Sequence, residues 1–325
     1  MKVLVTGGAG YIGSHTAQAL LKAGHQVVIL DNITTGFREA IPAGIEFIQG
    51  DVRNSSTLAE VINKYSVEAV VHFAAKLIVP ESIEKPMEYY ENNTMGVLSL
   101  VQACAANKVQ KIVFSSTAAV YGDATTDGLI TEKSPTVPLN PYGSSKLMSE
   151  QILRDCEKPY GIRSVCLRYF NVAGAAESGQ NGQRTKNATH LIKVASEAAC
   201  GKRASVGIFG TDYPTPDGTG VRDYIHVEDL ADLHVLALQY LNEGGKSEIF
   251  NCGYGHGFSV REVINTVKKV SGVDFKVEEQ PRRAGDAATL VADSSKVRKA
   301  FNWTPKRDNL ELICRTAYEW EKKLS

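Results

Sequence analysis

A glycine-rich turn near the N-terminus places the strongest constraint on how this chain can fold. It joins an apolar run, Lys2–Thr6, to a helical pattern, Ser14–Ala23, and its glycines Gly7, Gly10 and Gly13 have GxxGxxG spacing. The first glycine of such a turn allows a tight bend, the second lets the backbone approach a pyrophosphate, and the third lets the helix pack closely on the strand. Unpaired amides at the helix N-terminus favour the same anion. Glycines also join strands to helices for geometry alone, but the strand–turn–helix context favours a dinucleotide site.

Short apolar runs alternate with helical patterns through the first half of the chain, which is typical of βαβ units and a parallel sheet. The predicted strands are Lys2–Thr6, Gln26–Asp31, Glu46–Gln49, Ala69–Phe73, Lys111–Ser115 and Arg163–Arg168. The predicted helices are Ser14–Ala23, Ser56–Tyr65, Asn92–Asn107 and Tyr142–Lys158. We therefore expect an α/β fold, with a doubly wound parallel Rossmann sheet over residues 1–171 and a smaller mixed α/β substrate domain over residues 172–325. Part of the second segment is expected to return to the first domain.

Beyond Asn171 the chain becomes rich in polar loops. Gly174–Asn187 and Gly210–Gly220 contain many glycines and few apolar residues, whereas Ser259–Ser271 and Asn309–Lys323 again have helical patterns. Long loops on a rigid scaffold commonly carry binding residues. The second half is therefore the expected place for substrate contacts.

Acidic and small residues follow the predicted strands where a dinucleotide would lie. Asp31 ends the second strand, where a carboxylate binds ribose hydroxyls and repels a 2′-phosphate, which favours NAD over NADP. Asp51 and Val52 follow the third strand, and the carboxylate there can accept a hydrogen bond from adenine. Phe73-Ala74-Ala75 follows the fourth, where small residues allow close approach. The last two groups are equally consistent with a surface aspartate and an apolar strand end.

Tyr142 and Lys146 are four residues apart, so both side chains lie on one face of the predicted helix. A free phenol titrates near ~10, and lowering its pKa to ~7 requires about 4 kcal/mol of differential stabilisation. A lysine one turn away can supply part of this, and a bound cationic cofactor ring can supply more. The same spacing is common on solvent-exposed helices. With the glycine turn and Thr117, which ends a buried strand, the pair predicts hydride transfer at an alcohol carbon by a nicotinamide enzyme.

Composition narrows the possible partners and the compartment. The 36 basic and 36 acidic residues balance, so neither nucleic acid nor a membrane surface is expected as a partner. The six cysteines lack CxxC spacing, so neither a metal site nor a disulfide framework is indicated. The N-terminus leaves no room for a signal peptide, and no apolar run approaches the ~18 residues of a membrane helix. We expect a cytoplasmic protein that binds small molecules.

With these motifs in order, the chain resembles the extended short-chain dehydrogenase/reductase superfamily and, within it, the UDP-glucose 4-epimerase family. The segments that carry the closer resemblance are Phe73-Ala74-Ala75, Tyr89-Tyr90-Glu91-Asn92-Asn93, Val120-Tyr121-Gly122, Arg168-Tyr169-Phe170-Asn171, the run from Gly218 to Val227, and Arg282-Arg283-Ala284-Gly285-Asp286. The resemblance covers essentially the whole chain. It implies tightly held NAD, a UDP-sugar substrate in the smaller domain and a homodimer built through a helix bundle.

The resemblance also implies roles for individual residues. Thr117, Tyr142 and Lys146 would be catalytic and would touch the cofactor, and the first two would also touch the sugar. The other expected NAD contacts are Gly7, Gly10, Tyr11, Ile12, Gly13, Asp31, Asn32, Ile33, Thr34, Thr35, Gly36, Asp51, Val52, Phe73, Ala74, Ala75, Asn92 and Phe170.

On the sugar side, arginine forks suit the diphosphate, Asp286 can accept from ribose hydroxyls and Phe209 offers a face to uracil. The other residues implied to hold the UDP-sugar are Phe170, Asn171, His190, Leu191, Arg222, Arg283 and Leu290. Some family members have a tyrosine at the position of Leu290 and exclude N-acetylated sugars. A leucine there is expected to leave room for UDP-N-acetylhexosamines, although this residue also lies in an apolar run that is typical of core.

The sequence departs from the family pattern at two places. The lysine that reaches the cofactor in many members stands one position early, as Lys76 before Leu77, so that contact is open. Paired asparagines before a later helix are replaced by Thr189-His190-Leu191. His190 either donates to the substrate or covers the helix end.

Other functions fit less well. A nucleotide-sugar 4,6-dehydratase needs an acid and a base after Thr117, where this chain has Ala118-Ala119, and alanine cannot transfer protons. An NADP-linked carbonyl reductase conflicts with Asp31. A non-catalytic NAD-binding regulator needs no base, whereas Tyr142 and Lys146 are both present. The favoured function is C4 epimerisation of UDP-glucose and UDP-galactose through a 4-keto sugar, in galactose metabolism.

Overall fold

The computed structural model describes residues 1–123, 128–283 and 286–324, which form two compact units. Unit 1 comprises Met1–Gly122, Thr136–Arg168 and Ala231–Phe250. Unit 2 comprises Asp123–Pro135, Tyr169–Leu230 and Asn251–Ser325. Each unit is therefore assembled from three separate stretches of chain.

The described residues contain strands and helices in alternation. The strands are β1 Lys2–Thr6, β2 Gln26–Asp31, β3 Glu46–Gln49, β4 Ala69–His72, β5 Lys111–Thr117, β6 Arg163–Tyr169, β7 Asn171–Ala173, β8 Val206–Phe209, β9 Val221–Arg222, β10 Tyr224–His226, β11 Glu248–Cys252, β12 Phe258–Ser259, β13 Val277–Gln280 and β14 Thr289–Leu290. The helices are α1 Tyr11–Lys22, α2 Ser55–Tyr65, α3 Val79–Glu84, α4 Pro86–Tyr89, α5 Gly96–Ala106, α6 Pro141–Tyr160, α7 Leu191–Ala199, α8 Val227–Asn242, α9 Val260–Ser271, α10 Ser295–Phe301 and α11 Leu310–Lys323. None of these helices is both long and apolar enough to cross a lipid bilayer.

A seven-stranded sheet forms the centre of unit 1, in the order β3-β2-β1-β4-β5-β6-β11. The pairs β1–β2, β2–β3, β1–β4 and β4–β5 are parallel. The strand order reverses between β1 and β4, and ligands of open α/β sheets bind in the crevice beyond the strand ends at such a switch point. The predicted doubly wound Rossmann sheet is confirmed.

The glycine turn after β1 lies at this switch point and adopts a conformation that requires glycine. Gly7 has a φ of +73°, and a Cβ there would lie 2.5 Å from the backbone nitrogen of Ala74, in the turn after β4. A Cβ on Gly13 would lie 2.3 Å from the carbonyl oxygen of Gly7. The helix α1 begins at Tyr11, three residues earlier than predicted, so Gly13 lies within its first turn. The close contact between the glycine turn and the helix is therefore made by a residue inside α1.

Helices α2, α5 and α6 cover one face of the sheet. Leu4, Leu58, Leu100, Ile112 and Phe114 belong to the core that they bury. The predicted helix Asn92–Asn107 is divided: α5 begins only at Gly96, and residues 90–95 form a π-helical turn. Side-chain bonds account for this wider turn, because the Asn93 amide donates to the Lys76 carbonyl (3.0 Å) and to Ser145 Oγ (3.0 Å). Such turns often mark functional positions.

Unit 2 has a mixed α/β architecture, as predicted. Its small sheets pair β7 with β10, β8 with β13, and β9 with both β12 and β14. The helix α9 has a capping box, in which Ser259 Oγ accepts from the Glu262 amide (3.0 Å) and the Glu262 carboxylate accepts from the Ser259 amide (2.7 Å). The sequence did not predict α8, which carries the chain from unit 2 into unit 1.

The close approach at Gly7 predicts a large loss of stability in Gly7→Ala. Gly24 also has a positive φ (+82°), but an added Cβ there meets no atom within 4 Å. Gly24→Ala should therefore cost only the left-handed strain of about 1–2 kcal/mol. Gly7→Ala should cost a further ~1–3 kcal/mol because backbone atoms cannot move aside. Urea unfolding of both variants measures the difference, and equal losses would contradict the close approach.

Candidate active site

The carboxylate of Asp31 is fixed beside the glycine turn. Only 7% of this residue is exposed, and its Oδ2 accepts from the Ala9 amide (3.0 Å) while Oδ1 accepts from the Ile33 amide (2.8 Å). Burial raises the pKa of this carboxyl, and the two backbone bonds oppose that effect. Each oxygen has a further lone pair, so the group can still accept from ribose hydroxyls.

The loop from Asn32 to Gly36 is held against the same turn. The Asn32 side chain accepts from the Thr34 amide (3.0 Å), and the Phe37 amide donates to the Ala9 carbonyl (2.9 Å). Ile33 has a φ of +59°, which is unusual for a β-branched residue. Strained conformations of this kind cluster at ligand clamps. The structure thus anchors both ends of this loop at Ala9, next to the N-terminus of α1.

The turns after β3 and β4 show which expected contacts are free for a ligand. Asp51 is already engaged by the Arg53 guanidinium and by Asn32, and these bonds lower the pKa of its carboxyl to about 2. Val52 belongs to the hydrophobic core and is 4% exposed, so only its backbone can face a ligand. Phe73 packs against His234, with ring centroids 4.7 Å apart, and is half-buried.

Two further positions lie on the segment around the π-helical turn. The Asn92 amide donates to Asn93 Oδ1 (3.0 Å), which also accepts from the Lys76 backbone amide (2.8 Å). The Lys76 ammonium forms an ion pair with Glu88. The lysine that stands one position early is thus paired within the chain.

Thr117, Tyr142 and Lys146 come together at the ends of β5 and α6. The hydroxyl of Tyr142 is hydrogen-bonded to the side chain of Thr117. Lys146 Nζ donates to the Ser115 carbonyl (2.9 Å) and lies 4.9 Å from the centroid of the Phe114 ring. The helix is positioned by its N-cap, since the Asn140 side chain accepts from the Gly143 amide (2.9 Å).

The electrostatics of this group differ from the expectation. Burial raises the pKa of Tyr142, and the hydrogen bond with Thr117 opposes the rise. Burial also lowers the pKa of Lys146 to about 7, while Glu150 and Cys166 act in the opposite direction. Burial therefore opposes the lowering of the Tyr142 pKa that the spacing with Lys146 predicts, and this role of Lys146 stays a prediction.

In unit 2, Asn171, His190 and Leu191 line one pocket. Other residues of the pocket wall include Gln183, Lys193, Tyr224 and Trp320. His190 is the N-cap residue of α7, yet its side chain makes no capping bond to the first turn; its Nδ1 lies 3.2 Å from Gln183 Nε2. The His190 side chain therefore does not cap the helix by a hydrogen bond, and its role as a donor to the substrate stays a prediction.

A second group in unit 2 lies along β9. Arg222 is in register with Leu290 of β14, and its guanidinium donates to the Val221 carbonyl (2.9 Å). The following residue, Asp223, accepts through its carbonyl from the Asn171 amide (3.1 Å), which ties this group to the pocket. Leu290 is half-buried, so it is neither fully core nor free surface.

Phe209 and Arg283 form a separate contact, with the guanidinium 3.5 Å from the ring centroid. One face of Phe209 is thus covered by Arg283 itself. Asp286 is exposed, and its amide donates to the Arg283 carbonyl (3.3 Å). Ala284 and Gly285 of the same motif lie outside the described residues.

Sequence reasoning missed three polar residues that border the group formed by Thr117, Tyr142 and Lys146. Ser116, Glu150 and Arg168 are buried and bonded to one another. The sequence carries a signal for one of them, because Glu150 follows Lys146 by four residues and so extends the Tyr142–Lys146 face by one turn.

Known proteins resemble this chain over almost its whole length. The profile described as the NAD dependent epimerase/dehydratase family matches residues 3–253. The UDP-glucose 4-epimerase of Azospirillum brasilense is 54% identical over 323 residues, which cover 99% of this chain and 92% of that protein.

Solved structures agree with these matches. The UDP-glucose 4-epimerase from Brucella ovis in complex with NAD has a TM-score of 0.96 and 41% identity, covering 99% of this chain and 98% of that one. The UDP-Glc/GlcNAc 4-epimerase from Campylobacter jejuni has a TM-score of 0.87 and 49% identity, covering 99% of each chain. This chain therefore belongs to the UDP-glucose 4-epimerase family, within the NAD dependent epimerases and dehydratases.

Proposed function

We propose that this chain interconverts UDP-glucose and UDP-galactose by epimerisation at the sugar C4, with NAD as a resident cofactor, in galactose metabolism. The observation that carries the proposal is that Thr117, Tyr142 and Lys146 lie together at the end of β5. The glycine turn follows β1 of the same sheet. The 54% sequence identity to the UDP-glucose 4-epimerase of Azospirillum brasilense, over 99% of this chain, supports the same reaction. Unit 1 is assigned to the cofactor and unit 2 to the UDP-sugar.

The residues around the glycine turn fit NAD. The N-cap of α1 is Gly10, which has no side chain to compete with a pyrophosphate for the first amides, and the buried Asp31 suits a ribose without a 2′-phosphate. The residues assigned to the cofactor are Gly7, Gly10, Tyr11, Ile12, Gly13, Asp31, Asn32, Ile33, Thr34, Thr35, Gly36, Asp51, Val52, Phe73, Ala74, Ala75, Asn92, Thr117, Tyr142, Lys146 and Phe170. When bound, NAD would supply a reversible hydride acceptor for the sugar C4, so epimerisation through a 4-keto sugar would result in no net oxidation.

The chain's own groups move the proton. Tyr142 takes the proton from the sugar 4-hydroxyl as a general base. Thr117, already hydrogen-bonded to Tyr142, binds the same sugar oxygen and shares the proton. The Lys146 ammonium contributes positive charge that favours the phenolate and donates to the nicotinamide ribose. Because burial alone raises the Tyr142 pKa, positive charge at this site is needed for the base to form.

The UDP-sugar is assigned to the two groups of unit 2. Asn171, His190 and Leu191 offer polar contacts around one pocket, and Arg222 adds a charged fork one residue from the Asp223 carbonyl that holds Asn171. The remaining residues assigned to the substrate are Phe170, Phe209, Arg283, Asp286 and Leu290.

The family description also covers dehydratases, but the turn after Thr117 favours epimerisation. Residues 118–121 form a single 3₁₀ turn that begins with Ala118 and Ala119. The position next to the reacting sugar oxygen therefore offers methyl groups where dehydration needs an acid and a base. The NADP-linked reductase is disfavoured by the position of Asp31.

We also propose a homodimer formed through an apolar patch on unit 1. Ile83, Met87, Met95 and Met148 are between 47% and 82% exposed. Thr94 Oγ1 donates to the Ser145 carbonyl (3.3 Å), which holds the segments that carry Met95 and Met148 side by side. Exposed apolar groups that cluster in this way mark interaction surfaces.

A cytoplasmic location is proposed from the thiols. All six cysteines, of which four are buried, are free. Free thiols in this number are typical of a reducing compartment.

The purified protein is expected to convert UDP-galactose to UDP-glucose without net change in the absorbance of reduced cofactor. Tyr142→Phe should keep its fold and bound NAD but lose ~10²–10⁴-fold in kcat, because the general base is removed. Tyr160→Phe, at the exposed end of the same helix, loses the same hydroxyl and should retain full turnover. Near-normal kcat in Tyr142→Phe would contradict the assigned base, and stoichiometric NADH formation would indicate a dehydrogenase.

Leu290→Tyr is expected to reduce activity on UDP-N-acetylglucosamine more than on UDP-glucose. Leu290 is half-buried and in register with Arg222, so a larger ring would narrow the space beside that arginine. The kcat/KM for UDP-N-acetylglucosamine divided by the kcat/KM for UDP-glucose should fall by ~10-fold or more. This is the scale at which a pocket discriminates by steric fit. Leu290→Met provides a control of similar volume. An unchanged ratio in Leu290→Tyr would show that this residue does not border the sugar.

Replacing two methionines of the apolar patch with charge should separate the dimer. The Met95→Glu/Met148→Glu variant is expected to have the mass of one 35.2 kDa chain in sedimentation, against twice that mass for the wild type. Val273→Glu, at an exposed apolar residue of unit 2, is the control and should remain dimeric. A wild-type protein that sediments as a monomer would exclude the proposed dimer.

A further inference from the structure

Helix α6 carries a third functional-looking side chain on the face that bears the proposed base. Tyr142, Lys146 and Glu150 follow one another at intervals of four residues. Lys146 and Glu150 are 3% and 5% exposed, although charged residues are almost never buried without partners. The mechanism proposed above uses Tyr142 and Lys146 but gives Glu150 no role.

Two buried donors fix the Glu150 carboxylate. Arg168 of β6 donates from Nε to Oε1 (2.9 Å) and from Nη2 to Oε2 (2.5 Å), a two-pronged contact that sets the plane of the carboxylate. The hydroxyl of Ser116 donates to Oε1. The Arg168 guanidinium also lies 4.8 Å from the centroid of the Tyr121 ring. Because every partner is itself buried, the carboxylate has little freedom to move.

The place of this cluster is as informative as its bonds. Ser116 directly precedes Thr117, which holds Tyr142, and the carbonyl of Ser115 accepts from Lys146 Nζ. An ion pair that merely fastened α6 to β6 would work at any turn of the helix. This one bonds to Ser116, the strand residue that lies between Thr117 and Ser115, whose carbonyl accepts from Lys146.

The other groups that face Lys146 leave Glu150 as its main anionic partner among the described residues. From β4, His72 is 1% exposed, and burial together with Lys146 lowers the pKa of its ring to about 3, so it is neutral. From β6, burial raises the pKa of the Cys166 thiol, which is therefore uncharged, and Arg168 is a cation. Ser115 supplies a carbonyl dipole from β5. Burial opposes the charge on Lys146, and the Glu150 carboxylate opposes burial.

We propose that Glu150 is a positioning residue for the epimerase reaction: held by Arg168 and Ser116, its carboxylate keeps Lys146 protonated next to Tyr142. The proposal rests on the function proposed above for Tyr142 and Lys146. Glu150 touches neither sugar nor cofactor in this scheme. It acts only through the charge of Lys146.

The direct test is an NMR titration of the Lys146 side chain in protein labelled with ¹⁵N-lysine. The resonance is assigned by its loss in Lys146→Arg. In the wild type it should titrate near pH 7. Glu150→Gln keeps the shape and one acceptor oxygen but removes the charge, so the Lys146 pKa should fall by about one unit, which lowers the protonated fraction at pH 7 about fivefold. Ser116→Ala removes one hydrogen bond without changing the charge of Glu150 and should leave the Lys146 pKa unchanged.

Kinetics give a second readout that a purely structural role would not move. In Glu150→Gln, kcat should fall while KM for UDP-galactose stays near the wild-type value. Activity is lost at high pH when Lys146 loses its proton, and this limb of the pH profile should shift to lower pH by the same amount as the NMR titration. A uniform loss of activity at every pH, with an unchanged Lys146 titration, would overturn the proposal.

Glu150→Gln leaves Arg168 without its partner, so this variant can fail to fold. Glu150→Gln/Arg168→Gln avoids an unpaired cation and is compared with Arg168→Gln, so that the difference between the two Lys146 pKa values reports the Glu150 charge alone. If both variants fail to fold, Glu150→Asp, which keeps the charge but withdraws it by one methylene, decides: a Lys146 pKa equal to the wild type overturns the proposal, and a lowered one supports it. The titration uses no sugar, so its outcome is separate from that of the epimerase assay.

Discussion

The close approach of two backbone turns at the middle of the sheet is the constraint on which the rest of unit 1 depends. Gly7 lies against the backbone of Ala74, and no side chain fits between them. The turns after β1 and β4 can therefore open side by side where the strand order reverses. Asp31 and its loop then bond back to this turn through Ala9. A cofactor site at this edge follows from a contact that involves only backbone atoms.

Polar groups are concentrated at the ends of the central strands and are bonded to one another there. His72 pairs with Thr6 (2.7 Å), Ser115 accepts from Lys146, and Ser116 donates to Glu150. Buried polar groups are costly unless they are satisfied, and satisfied networks hold their members rigidly. The proposed base is therefore presented by a stiff frame, although one guanidinium nitrogen of Arg168 has no hydrogen-bond partner in that frame.

Much of unit 1 could be predicted from sequence because its signals are local. The strands β1, β2 and β3 have the predicted bounds, and Thr117 ends its strand as expected. The π-helical turn could not be predicted, since it depends on bonds from Asn93 to residues distant in sequence. The same is true of Arg168, whose partner Glu150 lies on another element. The rise that burial imposes on the Tyr142 pKa could not be predicted, because sequence spacing reports a neighbouring charge but not the depth of burial.

The surroundings of the residues proposed to hold the substrate were harder to predict, because these residues come from short strands and loops. A resemblance suggested His190 and Leu290, but the register of Leu290 with Arg222 and the contact of Arg283 with Phe209 emerge only from the tertiary structure. Helix α8 and strand β10 were absent from the prediction, since their apolar residues serve a core that forms after distant segments meet.

The interleaving of the two units has a consequence for synthesis on the ribosome. Unit 1 gains its last segment, Ala231–Phe250, only after about half of unit 2 has been translated, and the edge strand β11 comes from this late stretch. Until then β6 lacks one neighbour, and an unpaired strand edge invites association with other chains. The nascent protein must therefore carry an unfinished sheet through about a quarter of its translation. Shielding of that edge by chaperones during elongation would matter more for this topology than for one built from two consecutive domains.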